Sequence, residues 1–118
     1  MHDVLAVDAD PGIVERGADV NAADSQGWTS LHFTAQDHDI PIVRTLLAAG
    51  ADADPVEVTG TTPLWQSVMR SRWDPSVIRD LVQRGADAVR KNRSGVSPID
   101  LARSIRYQAA VDLFEGRG

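Results

Sequence analysis

Asp24-Ser25-Gln26-Gly27-Trp28-Thr29-Ser30-Leu31-His32-Phe33-Thr34-Ala35, followed after four residues by Ile40-Pro41-Ile42-Val43-Arg44-Thr45-Leu46-Leu47-Ala48-Ala49-Gly50-Ala51-Asp52, is the stretch that decides the fold. It holds a glycine turn, a hydroxyl residue placed to cap a helix, and apolar residues at helical spacing (Leu31 with Ala35). A second apolar stripe follows (Ile42, Val43, Leu46, Leu47), then a glycine able to end the helix in a left-handed conformation. Outward from it, Gly-Ala-Asp stands at Gly17, Gly50 and Gly85, and a Gly-x-Ser/Thr turn comes ten residues later at Gly27, Gly60 and Gly95, so both series step by 33 and then 35. A fixed period near 33 residues marks stacked units that bury their apolar faces only against one another.

The local signals recur with that period. Thr29, Thr62 and Ser97 can cap helices with their hydroxyls, and Pro63 and Pro98 fit a first helical position, which needs no N–H. Leu64 with Val68 and Ile99 with Ala102 repeat the Leu31/Ala35 spacing. Helices are predicted at 30–37, 40–48, 62–71, 75–83, 98–104 and 107–115.

The pattern of a glycine turn, a Thr-Pro-Leu-His-type helix start, a second helix ending in Leu-Leu and a closing Gly-Ala-Asp resembles the ankyrin repeat. The other copies are Gly60-Thr61-Thr62-Pro63-Leu64 with Leu81-Val82-Gln83-Arg84-Gly85-Ala86-Asp87, and Gly95-Val96-Ser97-Pro98-Ile99-Asp100-Leu101-Ala102. The resemblance covers nearly the whole chain and implies an all-α solenoid of about three and a half units. The units are a partial N-terminal cap at 1–23, repeats at 24–56 and 57–91, and a C-terminal cap repeat at 92–118.

Three departures shape this expectation. Leu64 and Leu81 are 17 positions apart against 15 for Leu31 and Leu46, which puts two extra residues in the second unit, around Met69–Pro75, with Asp74-Pro75 expected as N-cap and first helical residue. Only 16 residues precede Gly17, enough for one short helix from Pro11 to Glu15 capped by Asp10 and a remnant at His2–Val7. Arg103, Arg106, Asp112, Glu115 and Arg117 are available to face water, as a last unit requires.

Composition narrows the class. Apolar residues make up 42% and charged residues 25%, no apolar run approaches a membrane span, and no basic-then-apolar segment opens the chain. Cysteine is absent, which excludes disulfides and thiolate chemistry and fits a cytoplasmic setting. Arginine outnumbers lysine 11 to 1, a bias that points to a GC-rich, bacterial genome. The net charge of -5 hides a split: residues 1–60 carry eleven acids and two bases, net -9, and residues 61–118 six acids and ten bases, net +4. Such polarity orients charged partners or favours head-to-tail contact between copies.

Gln36-Asp37-His38-Asp39 sets carboxylates beside an imidazole, the ingredients of general-base or metal chemistry. Its place between two helices argues for a polar loop instead, and no catalytic, cofactor or metal residue is assigned. The resemblance implies a structural His32 whose ring bonds to the backbone of the adjacent turn. Trp65 and Asp100 stand at the equivalent positions, so that contact is not repeated, and Trp65 is expected to pack between units. Arg90, Lys91, Asn92 and Arg93, with Arg70, Arg72, Arg103 and Arg106, form the one basic cluster. Against nucleic acid stand the acidic total and the lack of a phosphate-cradling glycine loop.

The resemblance implies protein recognition by the hairpin tips and the exposed side of the first helices. Carried onto this sequence, that face holds Ser25, Gln26, Trp28, Gln36 and Asp37, then Val58, Thr59, Thr61, Met69 and Arg70, then Arg93, Ser94, Val96 and Ile105. Trp28 is either a contact residue or lies against the next hairpin at Thr61. Phe33 either joins the face or packs between first helices, and Trp73 either protrudes or plugs the gap opened by the insertion. The implied function is a non-enzymatic module with a protein partner and no cofactor, for instance a cytoplasmic immunity or adaptor protein. The alternative is a structural unit that self-associates through its acidic and basic halves.

Overall fold

The computed structural model describes residues 19–71 and 73–116. Six helices follow in order: α1 Ser30–Gln36, α2 Ile40–Ala48, α3 Pro63–Arg70, α4 Ser76–Gln83, α5 Pro98–Ser104 and α6 Gln108–Phe114. They fall within one residue of the predicted bounds. The short helix expected at Pro11–Glu15, the remnant at His2–Val7, and Arg72 and Arg117 lie outside the described residues. The described residues form an all-α stack of 40 × 27 × 21 Å in two layers, α1 on α3 on α5 and α2 on α4 on α6.

Each first helix starts where its hydroxyl cap predicts. Thr29, Thr62 and Ser97 accept from the amides of His32, Trp65 and Asp100, and Ser97 with Asp100 completes a capping box at 3.1 and 3.2 Å. α2 and α4 each end in a six-residue closure around glycine. The Ala51 amide donates to the Leu46 carbonyl at 3.0 Å and Gly50 to Leu47, with Gly50 at φ 92. Ala86 and Gly85 repeat this on Leu81 and Val82. The second unit's other start differs from the Asp74-Pro75 expectation. Pro75 is the N-cap, with no side chain to offer, and Asp74 sits one residue further out, accepting from the Ser76 amide at 3.1 Å and hydroxyl at 2.7 Å.

The core runs unbroken through the stack: Leu31, Ala35, Val43, Leu46 and Leu47, then Leu64, Val68, Val77, Ile78 and Leu81, then Leu101, Ala102, Tyr107, Ala110 and Val111. Trp65 packs partly buried against it, with its Nε1 buried and unpartnered. Polar bonds stitch the units together along the Gly-Ala-Asp corners. The Asn21 side-chain oxygen accepts from the Asp52 amide at 2.7 Å, and one unit on the Asp54 carboxylate accepts from the Asp87 amide at 2.9 Å. Val89 holds the next equivalent position, 67% exposed, and ends the ladder.

Candidate protein-binding face

The hairpins between units project from the start of α1, α3 and α5 and are built by one residue each. The Asp24 carboxylate accepts from the Gln26 and Trp28 amides at 2.8 and 3.0 Å, and the Asn92 oxygen from Ser94 and Val96 at 2.9 and 3.1 Å. Glu57 Oε1 serves Thr59 and Thr61 in the same way. These brackets were missed in the sequence, although Asp24, Glu57 and Asn92 are spaced by 33 and 35 like the turn glycines. Neighbouring hairpins then join edge to edge: the Val58 amide donates to the Gln26 carbonyl and the Arg93 amide to the Thr59 carbonyl, both at 2.9 Å. The tips therefore form one continuous, internally braced rim.

His32 ties the rim to the helices. The Thr29 amide donates to its Nδ1 at 3.1 Å, so the ring proton is on Nε2, which donates to the Thr61 carbonyl at 2.9 Å. The side chain is wholly buried, and desolvation holds its pKa below the usual imidazole value against the pull of the Thr61 carbonyl and of Glu57 and Asp24. His32 is thus a neutral bridge to the adjacent turn.

Most of the sequence-derived face is accessible. Ser25, Gln26, Asp37, Val58, Thr59, Met69, Arg70, Arg93, Ser94 and Ile105 are exposed, while Trp28, Gln36 and Val96 are partly buried. Thr61 departs from the expectation. It is 5% exposed, because its backbone closes the Glu57 bracket and receives the His32 ring, and it drops out of the face. Trp28 turns onto its own unit: its ring lies 4.9 Å from Phe33 and 5.3 Å from His32, which makes Trp28 and Phe33 a joint aromatic ledge. Trp73 stands 62% exposed with its ring edge-on to Tyr107 at 4.8 Å.

The Asp37-His38-Asp39 loop diverges. Asp37 closes α1 at the surface, Asp39 caps α2 through the Ile42 amide at 3.4 Å, and His38 Nε2 pairs with Asp74 of the next unit at 3.1 Å. The Ser76 hydroxyl, then His38 and the Ser76 amide, hold the Asp74 carboxyl down at about 2. The loop is a structural link between units. Two residues of the basic cluster are likewise committed, Lys91 to Asp100 at 3.1 Å and Arg103 to Glu115 at 2.7 Å.

A family model described as ankyrin repeats (3 copies) matches residues 9–107. The chain belongs to the ankyrin-repeat family. Among curated proteins, it is 36% identical over 99 residues to Protein PhlB of Serratia liquefaciens, covering 83% of this chain and 43% of that protein. It is 30% identical over 106 residues to the B-cell lymphoma 3 protein homolog of Mus musculus (89% and 22%). It is 32% identical over 101 residues to the Neurogenic locus Notch protein of Drosophila melanogaster (85% and 4%). The ankyrin chain thus spans less than half the length of each of these relatives. Ankyrin repeats are protein-interaction modules, and no helix among the described residues is long and apolar enough to cross a membrane.

Proposed function

We propose that this ankyrin stack is a non-enzymatic binding protein that presents its hairpin rim and the outer side of α1 and α3 to one protein partner. In its most concrete form it is a small cytoplasmic bacterial immunity or adaptor protein whose acidic half covers a basic surface of that partner. The observation that carries the reading is the Trp28–Phe33 ledge beside exposed Gln26 and Asp37: a braced aromatic step at the tip of the rim, in the half of the chain with net charge -9. Aromatic anchors dominate interface energetics, and a face fixed by backbone bonds loses little ordering entropy on binding.

The partner is to be captured from the native host and titrated calorimetrically with the wild-type chain and with Trp28→Ala combined with Asp37→Arg. The double variant should bind about 30-fold or more weakly, as loss of a central aromatic anchor implies. Unchanged affinity would refute the proposed face. A second reading, head-to-tail self-association, draws on the last hairpin, where a side chain at Gly95 would meet open space among the described residues. A monomer in sedimentation at high concentration and low salt would remove it.

A further inference from the structure

The two extra residues of the second unit build a feature that the other units lack among the described residues. In each unit the loop after the first helix passes through a left-handed residue that is not glycine: His38 at φ 57, Trp73 at φ 70 and Arg106 at φ 61. That residue comes eight positions after the helix start in the first and third units (Ser30 to His38, Pro98 to Arg106) and ten in the second (Pro63 to Trp73). Both insertions therefore precede Trp73 and carry its indole outward, in a backbone conformation that costs a bulky residue strain.

Beneath it lies a hollow of about 170 Å³ lined by Val68, Met69, Ser71, Trp73, Ile105 and Tyr107. Met69 is 46% and Ile105 36% exposed, so three large apolar side chains meet solvent around one depression. The Tyr107 hydroxyl is buried there; Ser71 lies near it, but the geometry completes no hydrogen bond. Arg70 follows the lining residue Met69, is exposed, and joins none of the ion pairs among the described residues, whereas Arg106, after Ile105, lines a separate depression with Arg103, Gln108, Val111 and Glu115. The acid next to Trp73, Asp74, is occupied by Ser76 and His38.

We propose that this hollow receives one bulky apolar side chain from an acidic segment of a protein partner, with Arg70, next to Met69 in the chain, meeting a flanking carboxylate. The aliphatic walls of Val68, Met69 and Ile105 suit an apolar side chain better than a stacked base, and the Trp73 ring is already engaged by Tyr107. The inference rests on the chain being an interaction module; Met69, Arg70 and Ile105 belong to the wider proposed face, but the hollow shares no residue with the Trp28 ledge and lies in the half with net charge +4.

The test is an NMR titration of the isotope-labelled full chain with a blocked octapeptide of Glu and Asp around a central Leu-Phe. Controls are the same peptide with Lys flanks and one with Ser-Ser at its centre. The acidic apolar peptide should shift the Trp73 indole and the Met69 and Ile105 methyl signals, weaken with added salt, and bind about tenfold better than either control. Ile105→Asp, at an exposed position, should abolish the shifts while the rest of its spectrum stays folded, and Trp28→Ala should leave them intact, which separates this surface from the rim. Absence of shifts, equal shifts with the Lys-flanked peptide, or shifts centred on Trp28 would overturn the proposal. So would concentration-dependent shifts at Trp73 without peptide, which would make a second copy the occupant, or stronger shifts there with a duplex oligonucleotide.

Discussion

His32→Leu should cost the fold about 3 kcal/mol and change how stability depends on pH. The substitution keeps an apolar side chain of similar reach but leaves the Thr29 amide and the Thr61 carbonyl without their ring partners inside the structure. The Thr29 amide, left buried and unsatisfied, costs about 1–3 kcal/mol; the Thr61 carbonyl keeps the Glu57 amide at 3.2 Å but loses the ring bond, and the capping box at the start of α1 goes with them. The pH effect follows from the neutral ring. Burial depresses the folded-state pKa of His32 below 6.5, so as pH falls through 6.5 the unfolded chain takes up a proton that the folded chain refuses. The stability His32 contributes is complete above that pH and is lost progressively below it. Chemical denaturation of wild type and His32→Leu from pH 7.5 down to 5 should show the gap between them narrowing. A constant gap would mean that His32 is not the neutral bridge described.

Gly27→Ala and Gly60→Ala should destabilise the stack far more than Gly95→Ala, although all three glycines have nearly the same backbone. Their φ values are 84, 80 and 80, so each alanine carries the left-handed penalty of about 1–2 kcal/mol. A β-carbon at Gly27 would lie 2.9 Å from the Glu57 Cα, and one at Gly60 3.2 Å from the Arg93 amide nitrogen, whereas at Gly95 it meets nothing. The inner two must force apart hairpins joined by the Val58–Gln26 and Arg93–Thr59 bonds, raising their cost to about 3 kcal/mol by the usual scale of overpacking. Thermal or urea midpoints of the three variants measure this directly. Equal losses would show that the tips do not stack as described.

What could be read in advance follows from the range of the forces involved. Helix starts and stops depend on residues within one turn, so Thr29, Thr62 and Ser97 placed the starts of α1, α3 and α5, and Gly50 and Gly85 the ends of α2 and α4, almost to the residue. The hairpin brackets were harder to see because Asp24, Glu57 and Asn92 do one job with three different side chains. The left-handed loop position was hard to see because, of His38, Trp73 and Arg106, only the histidine is a residue that favours it. That Thr61 went inside depended on a contact across units, the His32 bond that spans 29 residues, while Trp28 turned onto Phe33 and His32 of its own unit, which the sequence left open. The Asp74-Pro75 pair carried a true capping signal one position out of register: Pro75 is the N-cap, and Asp74, just before it, accepts from the Ser76 amide.

In the proposed function, recognition uses the braced rim with the exposed side of α1 and α3, and not the α2–α4–α6 layer. Hydrogen exchange of the ankyrin chain, free and bound to its captured partner, tests that most directly. Binding at the rim should slow exchange at residues 24–29 and 57–60 and along the exposed side of α1, with α2 and α4 unchanged. Protection confined to α2 and α4, with the rim exchanging as in the free chain, would contradict it.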